Sequence, residues 1–152
     1  MAAGLFGTAV MTCFMGFAPL IGLARVDMAS ITGAFLTNTK MPSAQTDDWW
    51  LGLVGYFIIG SVVLALGYVA ASRFLRGPDW LKGLIWGLAM WLILEVAIMP
   101  LIGQGPFSSA GPDAMKAAFT ALLGHVAYGV VLGTVAGREA AASVPNSTAA
   151  HV

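Results

Sequence analysis

Long apolar runs separated by short polar stretches dominate this chain. Four runs stand out, near residues 3–24, 49–72, 81–103 and 114–137. Each is about 20 residues or longer, enough for a helix to cross a hydrocarbon core of ~30 Å. The pattern predicts an all-α membrane protein with four transmembrane helices. They form one bundle over residues 1–139, and a small, polar, disordered tail occupies 140–152. The first run reads as a retained helix rather than a signal peptide, because no Lys or Arg precedes it and it is longer than a signal core. Only the first loop has room for structure. Its "DMASITGAFL" (Asp27–Leu36) opens on a candidate N-cap and predicts a short helix in the membrane interface, followed by the polar turn region "TNTKMPSAQTDD".

Basic residues near the ends of spans set orientation. Arg73, Arg76 and Lys82 crowd the second loop, and Arg138 follows the last run. Arg25 and Lys40 are spread over the longer first loop. The third loop, "GQGPFSSAGPD", has no Lys or Arg, although Lys116 lies just past it. The second loop and both termini are therefore expected in the cytoplasm. Trp49 and Trp50 at one border and Trp80 at the other suit aromatic belts.

The chain also echoes itself. "APLIG" (Ala18–Gly22) and "MPLIG" (Met99–Gly103) close the first and third runs, and "GYFIIG" (Gly55–Gly60) aligns with "GHVAYG" (Gly124–Gly129). This describes two repeated helical hairpins running in the same sense, with Tyr56 at the position of His125. Duplication and chance likeness between glycine-rich helices both remain open.

Composition narrows the function classes. Hydrophobic residues make up 59% and charged residues 9% of the chain, against about 25% charged in soluble proteins. With a mean hydropathy of +0.85, the lipid bilayer is the first expected partner. Net charge is zero, and no basic face suggests nucleic acid. The single cysteine, Cys13, cannot form an internal disulfide. No phosphate loop, Ser/His/Asp set, HExxH motif or pair of carboxylates is present, so no enzyme is expected.

The candidate chemistry is a sparse set of polar groups inside the runs. Glu95 is the only acid within a span. A charge at the bilayer centre costs about 2.5–3.5 kcal/mol on insertion scales, so Glu95 must be protonated, paired or wet. His125 sits in the apolar "FTALLGHVAYGVVLG". Residues four apart share a helix face. His125, Gly129, Gly133 and Gly137 form one such ladder, and Gly83, Gly87, Trp91 and Glu95 another. Gly52, Tyr56 and Gly60 form a third, and Gly4, Thr8, Thr12 and Gly16 a fourth. Small residues let membrane helices approach closely, so these glycines are expected at helix contacts and the polar residues inside the bundle. At ~1.5 Å per residue, Glu95, His125, Tyr56 and Thr12 fall at similar depths. The expectation is a polar cluster in which Glu95 meets His125, directly or through one water, and Tyr56 lines the same pocket.

His125 could ligate haem with a Met partner, since the other histidine, His151, lies in the tail. A hydrogen-bonded structural role is the simpler alternative, and no cofactor is expected. Met11 and Met15 share a face that Cys13 opposes, which disfavours a soft-metal site and favours packing.

The glycine-rich first helix with "TAVM" (Thr8–Met11), the "P-L-I-G" ends and the last-helix "GHVAYGVVLG" resemble a family of small, uncharacterised four-helix bacterial inner-membrane proteins. The resemblance implies a multi-pass inner-membrane address and no assigned activity. It also implies a histidine in the second helix of family members, where this chain has Tyr56. Three functions are carried forward. The favoured one is a non-catalytic subunit or assembly partner of a larger membrane complex, formed with other subunits or with itself. The alternatives are a small transporter or proton- or ion-conducting unit using Glu95 and His125, and a haem- or quinone-binding electron carrier.

Overall fold

The computed structural model describes residues 2–39, 41 and 44–143. Among these the chain forms five helices and no strands: α1 (Ala2–Ile21), α2 (Met28–Thr37), α3 (Asp47–Ser72), α4 (Asp79–Leu101) and α5 (Ala114–Ala142). All but α2 are long and apolar enough to cross a membrane. Their outward faces carry exposed large apolar side chains, among them Phe6, Ile58, Leu92 and Phe119.

Local chemistry sets the ends. Pro19 lacks an N–H, and the last turn of α1 tightens to a 3-10 helix that stops at Gly22, whose φ is 82°. The Thr46 hydroxyl accepts from the Trp49 amide at 3.4 Å and caps α3, whose first turn carries Asp47 and Asp48. Gly103, at φ 80°, follows the end of α4. At the other terminus α5 continues through Ala142, into the segment expected as tail. Ala140, Ala141 and Ala142 are strong helix formers, and they extend the helix without needing to be buried. Residues 144–152, the rest of that expected tail, lie outside the described residues.

The short helix falls where the sequence places it, and one side of it is buried in protein. Met28, Ala29, Ser30, Ile31, Gly33 and Ala34 of α2 are buried. The segment is small and apolar on most sides, so it packs closely against protein. At Gly52 of α3 a Cβ would run into the Ala29 carbonyl and the Gly33 backbone. Asp27 anchors the start of α2. Its Oδ1 accepts from the amides of Ala29 and Ser30 at 3.0 and 3.1 Å, and its Oδ2 from Ser30 Oγ and Trp49 Nε1, both at 2.9 Å.

Helix α5 lies innermost, with α1 against one side and α4 against the other; α3 packs on α1 and carries α2. The α4–α5 contact is a glycine seam. A Cβ at Gly83 would strike Gly129 and Gly133, one at Gly87 the His125 carbonyl, and one at Gly137 the Asp79 side chain. Gly60 of α3 sits against the Thr8 side chain of α1.

Two helices are interrupted by single π turns, Ile59–Val63 in α3 and Leu94–Ile98 in α4. In α4 the cause is Pro100 just beyond. Its ring cannot donate to the Val96 carbonyl and crowds it. In α3 the π turn contains Gly60, whose carbonyl is taken by the Tyr128 hydroxyl at 2.6 Å.

Candidate functional site

The π turns, α1, α2 and α5 enclose a cavity of about 230 Å³. Its wall is largely apolar, with Met11, Met28, Ile31, Leu64, Met90 and Leu94 among the lining residues, and it carries five polar side chains: Thr8, Thr32, Tyr56, His125 and Tyr128. Phe35 of α2 and Ile93 of α4 line it too and are 42% and 51% exposed. The cavity thus opens sideways between a short helix and a long one.

Most of its polar hydrogens are already committed. Thr8 Oγ1 donates to the Gly4 carbonyl at 2.9 Å. Tyr128 donates to the Gly60 carbonyl. Thr12 donates to the Thr8 carbonyl at 2.7 Å, so the 3.2 Å contact between Thr12 Oγ1 and Tyr56 is one in which the tyrosine donates. The Thr8 carbonyl lies 3.4 Å from the same tyrosine oxygen. His125, 7% exposed, places Nδ1 2.8 Å from the Ala121 carbonyl. A carbonyl only accepts, so Nδ1 carries the hydrogen, and the neutral ring turns a lone pair outward at Nε2. Among the described residues Nε2 has no partner. Among the described residues the Thr32 hydroxyl has no hydrogen-bond partner, so it is the one uncommitted hydroxyl of the set.

No direct hydrogen bond joins Glu95 to His125 among the described residues. Glu95 is 0% exposed and lies beside a second, more polar cleft of about 360 Å³ whose lining includes Arg25, Asp27, Gln104, Ser108, Ala117 and Ala121. Two physical reasons separate the residues. First, the seam that sets Gly83 against Gly129 and Gly133, and Gly87 against His125, brings Glu95 level with Ala117 and Ala121, beyond His125 along α5. Second, at 3.6 residues per turn a ladder of three four-residue steps swings about 120° around the helix, so Glu95 leaves the face that Gly83 occupies. The partner Glu95 does find is a loop residue. Residues Pro106–Ser108 form a 3-10 turn over the end of α4, and Ser108 Oγ donates to Glu95 Oε2 at 3.4 Å. Glu95 Oε1 and Trp86 Nε1 are the buried side-chain polar atoms without a partner among the described residues.

Of the four expected cluster members, then, the structure brings Thr12 to Tyr56 and puts Tyr56 and His125 on one cavity, and it leaves Glu95 out. Sequence reasoning passed over Tyr128, Thr32 and Ser108. Tyr128 lies three residues from His125 and so on its face, a signal that was available. Ser108 has no such signal, because only the folded loop brings it to α4.

No group of three or more His, Cys, Asp or Glu residues suited to a metal ion occurs among the described residues. Met11 and Met15 are 4% and 6% exposed, while Cys13 faces outward.

No curated protein and no solved structure matches this chain. A family model does, over residues 1–146, and the chain belongs to the family it describes: Family of unknown function (DUF6789).

Proposed function

We propose that this chain is a small, non-catalytic, multi-pass protein of the bacterial inner membrane that holds a lipophilic small molecule, drawn from the bilayer, in the His125 cavity. The observation that carries this is the cavity itself, about 230 Å³, apolar-walled and open on the side that would face lipid. A dry apolar cavity of about 150 Å³ already takes up benzene. Both termini and the Arg73–Lys82 loop lie in the cytoplasm, as the placement of basic residues favours. The bundle is two repeated hairpins, and the shared cavity position of Tyr56 and His125, equivalents in the "GYFIIG"/"GHVAYG" alignment, supports that repeat.

The other functions draw less support. A role as subunit of a larger complex would use small-residue faces for partners, yet those of α4 and α5 meet each other within the chain. A proton or ion path through Glu95 and His125 would have to join two separate cavities.

Purification in mild detergent followed by mass spectrometry of the extracted lipids tests the proposal. A lipophilic molecule should accompany the wild-type chain and be depleted from Met90→Trp, whose larger side chain fills the cavity. Equal yields from both, with both folded, would reject it.

A further inference from the structure

The hydrogen-bonding state of the cavity wall narrows the ligand. We propose that the ligand's polar head is a hydrogen-bond donor, an alcohol or phenol hydroxyl, received by Nε2 of His125. The inference rests on the cavity being a binding site. Thr8, Tyr56 and Tyr128 have each given their only hydroxyl hydrogen to a partner, at 2.9, 3.2 and 2.6 Å. His125 has given Nδ1–H to Ala121 at 2.8 Å. Toward the cavity these four groups offer lone pairs and no hydrogens, and the Thr32 hydroxyl can rotate to donate or accept. A head that only accepts, such as a ketone, an ester or an ether, can take the Thr32 hydrogen but leaves the lone pair of Nε2 unfilled and opposes its own oxygen to the lone pairs of Thr8, Tyr56 and Tyr128. A hydroxyl fills that lone pair and can take a hydrogen from Thr32 in return. The bond between His125 and Ala121 belongs to one helix, so the acceptor is aimed before any ligand arrives and needs no rearrangement.

The test compares a donor with its blocked twin. The full chain in lipid nanodiscs is titrated with 1-naphthol and with 1-methoxynaphthalene, each corrected for uptake by empty nanodiscs. Wild type should bind the naphthol roughly two- to tenfold more tightly than the ether, the ratio expected of one net hydrogen bond. His125→Leu should bring the ratio to one while still binding the ether. His125→Gln, which keeps an acceptor in its amide oxygen, should restore part of the preference. Equal binding of the two probes by wild type, or preference for the ether, overturns the donor inference and leaves the cavity as a binding site. Binding of neither probe removes both. The wild-type ratio decides the matter even if His125→Leu does not fold.

Discussion

Gly83 and Gly16 are both glycines in apolar helices, yet their environments differ sharply. A Cβ at Gly83 would overlap the backbone of α5, whereas nothing lies within 4 Å of one at Gly16. Gly83→Ala should therefore lower the thermal unfolding temperature in detergent, by the equivalent of about 1–3 kcal/mol for an overpacked contact. Gly16→Ala should leave it unchanged or raise it slightly, since alanine favours helix. A matched response at both positions would argue against close packing at the seam. Glu95 makes a different case. Its one described hydrogen bond is the long contact from Ser108, and hydrogen bonds between membrane helices average only about 0.6 kcal/mol. Ser108→Ala and Glu95→Gln should each change stability by less than about 1 kcal/mol, read from the same melting curves. Tyr128→Phe should cost more than either, because it strands the Gly60 carbonyl in the α3 π turn without its 2.6 Å donor.

At the scale of elements, the four long helices were legible because a run of about 20 apolar residues has few other fates. The start of α2 was legible too, since Asp27 is a capping residue directly before an apolar stretch. Its burial was not, because that depends on Gly52 and Gly33, two bare backbones meeting across 19 residues of sequence (52 − 33). Nor were the π turns, which shift the facing of whatever follows them; the sequence marks the one in α4 only through Pro100. The direct Glu95–His125 hydrogen bond is missing for reasons at this scale. The expected pairing assumed a constant helix face and a loop that stays outside, whereas α4 turns its face and the third loop folds inward to meet Glu95. Because Asp27 caps α2 and also ties it to Trp49, Asp27→Ala should cost more than a lone cap, above about 1 kcal/mol. It should also free the Trp49 indole, seen as altered tryptophan fluorescence. Unchanged fluorescence and stability would mean α2 is held by packing alone.

For the whole molecule, orientation is the first thing to measure. Reporter fusions after Arg76 and after Asp113 should report opposite sides of the membrane, with Arg76 cytoplasmic; a periplasmic signal at Arg76 would invert the proposed topology. The glycine seam has a further consequence, for motion. Where backbones touch along several turns, neither helix can slide or roll without lifting off the other, so α4 and α5 fluctuate as one stiff plate. The ten-residue α2 is locked to α3 by the Gly52 contact but has no such lock on α4, which it meets across open space. Thermal breathing is thus channelled into the α2–α3 side of the lateral opening, while the wall bearing His125 stays still. In amide hydrogen exchange, Ile31–Leu36 should exchange well ahead of Ala121–Leu132, and an occupant of the cavity should slow the first group selectively.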